Sequence, residues 1–468
     1  MSFEFPKVSL KQISSKIGDG IHGTPIYDEN GSYYFINGNN LGSGRIVITS
    51  STKKVSRDEY LKHKKELNES TVLLSINGTI GNVALYDNEP IILGKSACYI
   101  NILPDANANY IGYVLKDRLF QHYIKQQANG STIKNVSLKL IRDYEFTLPP
   151  KFVQDRIAEI LSSLDKKISV NGNMSVILEQ MAQALFKSWF VDFDPVKAKM
   201  AALEAGGSQE DATLAAMTVI SGKDADALAV FEREHPTQYA ELKATAELFP
   251  SAMQESELGE IPVGWFVGDL SNIALLNTES WSKKNAPESV SYVDLANTKW
   301  GVINSVEVYK FSDAPSRARR ILRPCDTIVG TVRPGNGSYS YISKPGLTGS
   351  TGFAVLTPKA RIFSEYIYLC VTSNESIERL AHLADGGAYP AVNADVVLST
   401  QCVLPIESET KEALLKVFSS RTEVFFSYRA NNLDVNEVLT SIRDTLLPKL
   451  LSGEITLPEA EQIISEEA

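Results

Sequence analysis

Apolar positions along 157–185 recur at helical spacing. Ile157, Leu161, Leu164, Ile168 and Asn171 step 4-3-4-3, and after a three-residue step to Met174 come Leu178, Met181 and Leu185. A second run keeps the 4-3 alternation from end to end, through Leu414, Phe418, Arg421, Phe425, Tyr428, Asn432, Val435, Leu439, Ile442 and Leu446. A mean spacing near 3.5 keeps one seam turned toward a partner helix. Each seam carries one Asn, Asn171 or Asn432, a residue that fixes register in coiled coils at some cost in stability. Two long helices are predicted, and they are expected to pair with each other.

Ahead of each helix lies a stretch with a different rhythm. Short β-branched and aromatic runs such as 33–36 (YYFI), 72–74 (VLL) and 97–100 (ACYI) are punctuated by Gly, Asn and Pro, as strands joined by turns require. Between them, 110–127 and 366–383 read as helices, with Ile111, Val114, Leu115 and Leu119 on one face of the first. These two stretches are related. Tyr110-Ile111 returns as Tyr366-Ile367, Asn129-Gly130 as Asp385-Gly386, Val136 as Val392 and Leu148-Pro149 as Leu404-Pro405, all at an offset of 256 residues. The run 74–81 (LSINGTIG) has a looser counterpart at 329–335, displaced by a short insertion or deletion, and Gly94-Lys95-Ser96 resembles Gly349-Ser350-Thr351. Such a register, held over forty residues, indicates a tandem duplication.

The chain has 468 residues, 43% of them hydrophobic and 22% charged, which suits a soluble protein of several domains. Its net charge is −10, but the charge is segregated. Residues 1–150 carry +3, 151–194 carry −1, 195–260 carry −7, 261–405 carry +1 and 406–468 carry −6. Within the two basic blocks, cations cluster: Lys53, Lys54 and Arg57, then Lys62, Lys64 and Lys65, in the first; Arg317, Arg319, Arg320, Arg323 and Arg333 in the second. Clusters of this kind neutralise phosphates and release counterions. Cys98, Cys325, Cys370 and Cys402 are widely spaced, without a metal-binding pattern, so free thiols in a reducing cytoplasm are expected. No secretory leader is read at the start, and no apolar run approaches the ~18 residues of a membrane helix.

Signatures of bond chemistry are absent. At Gly94-Lys95-Ser96 a phosphate-cradling loop would need Gly where Glu89 stands. The five histidines form no zinc motif, and no nucleophile elbow occurs. His22, in the loop 18–25 (GDGIHGTP), has no carboxylate or nucleophile at a suggestive spacing, which favours a DNA-facing or structural role.

The duplicated blocks, each closed by a Leu-Pro element and a long helix, resemble the specificity subunit (HsdS family) of Type I restriction-modification systems. The resemblance rests on 129–137 (NGSTIKNVS) leading to 148–150 (LPP), on 154–161 (QDRIAEIL), and above all on 181–195 (MAQALFKSWFVDFDP). The stretches 19–25, 75–81, 388–392 (AYPAV) and 446–454 (LLPKLLSGE) also match. It implies an α+β fold with two tandem mixed α/β target recognition domains, separated by two long helices that form an antiparallel coiled coil, in a pseudo-twofold internal repeat. It also implies double-stranded DNA as ligand, with two methyltransferase (M) subunits and restriction/translocase (R) subunits as partners. No cofactor is expected in this chain; S-adenosylmethionine, ATP and Mg²⁺ belong to the partners, which methylate adenine and cut.

The expected domains are 1–150, target recognition domain 1; 151–194, a central helix; 195–260, an acidic insert; 261–405, target recognition domain 2; 406–453, a C-terminal helix; and 454–468, an acidic tail expected to fray. Candidate DNA-binding residues are His22, Lys53, Lys54, Arg57, Asn77, Lys95, Ser131, Thr132, Lys134 and Asn135 in the first block. In the second they are Arg317, Arg319, Arg320, Arg333, Asn336, Ser350, Thr351, Tyr389 and Asn393. Arg suits guanine and Asn suits adenine through paired hydrogen bonds. Forty helical residues span about 60 Å, longer than one turn of DNA at about 34 Å. A spacer between two readers is expected. The rival reading is a free-standing DNA methyltransferase or nuclease with duplicated DNA-binding domains.

Overall fold

The computed structural model describes residues 5–42, 44–128, 134–384 and 390–467. The chain divides into two compact units: Met1–Gly172 with Leu433–Ala468, and Asn173–Asn432. Both dividing points sit beside the seam asparagines, at Gly172 and after Asn432.

In the first unit, an antiparallel sheet runs in the order Ser14–Asp19, Ala97–Ile102, Thr71–Ser75, Val83–Leu85. A smaller sheet orders Lys54–Val55, Tyr33–Ile36 and Ile91–Leu93, the last two parallel. The helix Ala108–Lys116 starts where Asn107 accepts from the Tyr110 amide, and Arg118–Gln127 starts where Asp117 accepts from Leu119. The block closes by pairing Lys7–Ser9 with Glu145–Thr147.

The second unit repeats this plan. Its main sheet is ordered Ala274–Leu276, Phe353–Pro358, Thr327–Gly330, Tyr339–Tyr341, and Trp265–Asp269 closes on Gln401–Pro405. Its other sheet again holds a parallel pair, Ser289–Val293 with Leu347–Ser350. The offset of 256 relates the first residues of equivalent elements almost throughout: Tyr33 to Ser289, Ile91 to Leu347, Ala97 to Phe353, Ala108 to Ser364, Arg118 to Asn374, Leu138 to Ala394 and Glu145 to Gln401. The displaced run is also visible in the pairing. Ser75 faces Ala97 while Gly330 faces Phe353, so this strand follows an offset of 255. The duplication is therefore structural, with the central strand displaced by one residue between the two blocks.

Each long helix is continuous, Lys151–Phe190 and Ser408–Ser452. In the first unit Asp165 meets Arg443 and the Ile168 carbonyl accepts from Asn436, so the helices run antiparallel. Ile157, Leu161 and Leu164 pack there with Leu439, Ile442 and Leu446 against block residues Tyr110, Ile111 and Phe120. In the second unit Glu179 meets Arg429, while Phe186 and Phe190 contact Phe418, again antiparallel.

The seam departs from its expected phase in this second unit. Met181 and Tyr428 are 48% and 62% exposed, and Met174 is exposed too. The buried positions include Ser175, Ala182, Phe186 and Trp189 on one helix and Phe418, Thr422, Phe426 and Arg429 on the other. From Asn171, the sequence Ser175, Leu178, Ala182, Leu185, Trp189 preserves the 4-3 alternation. Ser and Ala hold it, so a search for large apolar residues slips by one position onto Met174 and Met181.

Residues 195–260 do more than connect. Four helices, Asp194–Glu204, Gln209–Ser221, Ala225–Glu234 and Pro236–Glu247, send Val196, Met217, Leu228, Leu242 and Ala246, followed by Phe249, into the core that holds Trp189 and Trp265. Lys199 is buried and donates to the Phe249 carbonyl at 2.6 Å; burial lowers its pKa. The tail expected to fray is instead the helix Leu457–Glu467, entered where Glu459 accepts from the Thr456 amide and hydroxyl, with Ala460 fully buried.

Candidate functional site

In each block the main sheet ends in a set of polar loops. In the first, Ile21 bonds to Leu93, Ile76 to Ser96, and Gly78 to Lys134, all through backbone amides. Asn77 bridges to Asn135. These contacts bring the loops of His22, Asn77, Lys95, Lys134 and Asn135 to one edge. His22, Lys95, Lys134 and Asn135 are exposed there, and His22 Nε2 lies 3.0 Å from Asp19 Oδ2.

Lys53 and Lys54 each lie beside an aromatic ring, and Arg57 is exposed at the start of the following helix. The Lys53 ammonium lies 6.0 Å from the Tyr27 ring and that of Lys54 lies 5.8 Å from Tyr34. Lys53 also lines a cavity of about 280 Å³ with Tyr27, Phe35, Asn37, Asn40 and Thr52.

The second block builds the equivalent edge. Val332 bridges to Ala391, the Arg333 amide donates to Pro390, and the Thr351 amide donates to Arg317. Arg317, Arg333, Asn336, Thr351 and Asn393 are exposed. By the 255 offset of this strand, Arg333 stands where the first block has Gly78, and both have left-handed backbone, φ +47 and +74. A long cationic side chain in that conformation is held at an energetic cost.

Three residues are used differently from expectation. Ser350 is buried in its strand and accepts from the Gly352 amide. Arg319 stacks its guanidinium 4.7 Å from the Phe311 ring. Arg320 is half-buried and contacts Ser280, and burial lowers its pKa. Ser131, Thr132 and Tyr389 lie outside the described residues.

Trp300, at the same edge, carries no distinguishing signal in the sequence. It is 57% exposed, has φ +47, donates its amide to the Gly337 carbonyl, and lies against the Arg333 loop beside Lys299, which reaches Ser338 at 2.9 Å. A lone Trp before Gly301 is a weak signal; its exposure appears only in the folded block.

Among the described residues there is no group of three His, Cys, Asp or Glu that could hold a metal ion. No helix among them is long and apolar enough to cross a membrane. The four cysteines are free and three are buried, Cys402 with its pKa pushed up to about 12 by burial.

The family described as the Type I restriction modification DNA specificity domain matches residues 4–180. Over 416 residues the chain is 31% identical to the Type I restriction enzyme HindI specificity subunit of Haemophilus influenzae, covering 84% of this chain and 88% of that one. The chain belongs to the Type I restriction specificity-subunit family. It is also similar to the Type I restriction enzyme MjaIX specificity subunit of Methanocaldococcus jannaschii, at 23% over 409 residues, covering 84% of this chain and 79% of the relative. Its fold matches the crystal structure of the S subunit from M. genitalium with a TM-score of 0.50 at 15% identity, covering 96% of both chains. As a specificity subunit it is the non-catalytic part of its system, and the reactive chemistry lies in partner subunits.

Proposed function

We propose that this specificity subunit reads a bipartite, asymmetric sequence in double-stranded DNA. Each block takes one half-site, and the long helices set the gap. The observation that carries this reading is the pair of equivalent loop edges with unlike side chains: Asn77, Lys95 and Lys134 on one, Arg333, Asn336 and Thr351 on the other. The same frame grips the same duplex geometry, while different polar groups meet different base edges. Lys53, Lys54, Arg57 and Arg317 supply phosphate contacts.

Two methyltransferase subunits and the restriction subunits dock on the chain, and S-adenosylmethionine, ATP and Mg²⁺ act in them. A surface on the second unit supports docking. Met174, Ile177 and Met181 form an exposed apolar stripe at 3- and 4-residue spacing on the first long helix, and Val424 and Tyr428 are exposed on the second. Such a stripe accepts a partner helix.

Mapping methylated adenines in cells that express the chain with its modification subunit tests the reading. A split motif with unlike halves is expected; a continuous or palindromic motif contradicts it. Methyl transfer or cleavage by the purified chain alone would favour the rival enzyme.

A further inference from the structure

In each unit a partly buried polar knot joins both long helices to a helix of the local block. In the first unit, Asp165 of helix Lys151–Phe190 accepts from Arg443 of helix Ser408–Ser452 at 2.8 Å and from the Tyr113 hydroxyl of helix Ala108–Lys116 at 2.8 Å, with Lys116 at 3.5 Å. In the second, Glu179 accepts from Arg429 at 2.9 Å and from the Tyr368 hydroxyl of helix Ser364–Val371 at 2.5 Å. Arg429 also donates to the Gly301 carbonyl at 2.6 Å. Backbone and side chain are fitted together there, because a Cβ on Gly301 would stand 2.4 Å from Arg429 Nη2 and 2.7 Å from the Tyr368 hydroxyl.

Both knots use an acid from the first long helix, an Arg from the second and a Tyr from the corresponding helix of the local block. Asp165 and Glu179 are 14 residues apart, as are Arg429 and Arg443. Fourteen residues are two heptads, so the two knots occupy the same seam position. Duplication does not account for this. At the offset of 256, Asp165 corresponds to Arg421 and Glu179 to Val435, so neither knot is a copy of the other.

We infer that these knots are positioning residues that seat each recognition block at one height and rotation on the helical pair, and thereby fix a single gap length. The inference rests on the bipartite reading above. Beyond the aromatic contacts of Phe186 and Phe418, the seam holds the small residues Ser175, Ala182 and Thr422, which resist sliding weakly, whereas a directional ion pair tolerates one register. A slip of one helical turn is about 5.4 Å, more than the roughly 3.4 Å between base pairs. Losing a knot therefore lets one block meet DNA at a neighbouring spacing, with its base preferences intact.

The test compares wild type, the double variant Glu179→Met with Arg429→Met, and Tyr368→Phe, each expressed with the modification subunit and read by methylation mapping. Replacing both charges leaves no unpaired ion, and the phenylalanine variant removes one hydrogen bond from an otherwise intact chain. Both half-sites are expected to persist, while methylation at gaps one base pair longer or shorter rises about tenfold over wild type. Methylated sites confined to the wild-type gap overturn the inference. If the double variant does not assemble, Tyr368→Phe decides alone. If wild type shows no split motif, the bipartite reading itself has failed, an outcome distinct from unchanged spacing in the variants.

Discussion

Under the proposed reading, Arg333 serves recognition at a cost in backbone energy. Its left-handed backbone would suit the glycine that the first block places there, yet the second block keeps a cation at an exposed loop edge. Arg333→Gly is expected to leave unfolding free energy within about 1 kcal/mol of wild type, since relieved strain is offset by added chain entropy. The same change should cost roughly 1–3 kcal/mol of discrimination at one base pair of the second half-site, measured by competition binding. Asp165 supplies a pH dependence. Burial raises its pKa, but Lys116, Arg443 and Tyr113 outweigh that and hold it below the ordinary 3.8. A depressed carboxyl stabilises above its unfolded pKa and loses that contribution as pH falls through its folded one. Asp165→Asn should therefore cost about 1–2 kcal/mol at neutral pH. Denaturant midpoints of variant and wild type should converge below about pH 4. The loop positions of Asn77 and Arg333 were legible because their loops repeat; Trp300 was not, since nothing local distinguishes an exposed Trp from a buried one.

At the scale of elements, the strands and short helices could be read from turn residues and from the repeat itself. The phase of the long seam could not be read past Asn171, because Ser175, Ala182 and Thr422 pack in it while methionines face outward. Helical spacing marks a face, and only burial shows which face has a partner. Two substitutions separate these roles. Ala182→Leu overfills a fully buried position and should cost about 1–3 kcal/mol by thermal unfolding. Met181→Lys, one residue earlier, should stay within about 0.5 kcal/mol in the isolated chain, yet weaken co-purification with the modification subunit. Equal effects of the two on unfolding would restore the seam to Met181.

Across the whole molecule, the duplication was visible because 256 residues separate elements that start in the same order. The helical insert was not legible as core, since alanines carry little periodic signal while Met217, Leu228, Leu242 and Phe249 lie far apart along the chain. Phe249→Ala should remove about 3–5 kcal/mol from the second unit. Calorimetry should then resolve a lowered transition for that unit, with the transition of the first retained.

Exchange of the first block is the sharpest test of modular, bipartite reading. Residues 1–150 would be replaced by those of another member of the family, and the methylated sequence mapped in cells with the modification subunit. A new first half-site is expected, with the second half-site and the gap unchanged. Altered bases in both halves would contradict it.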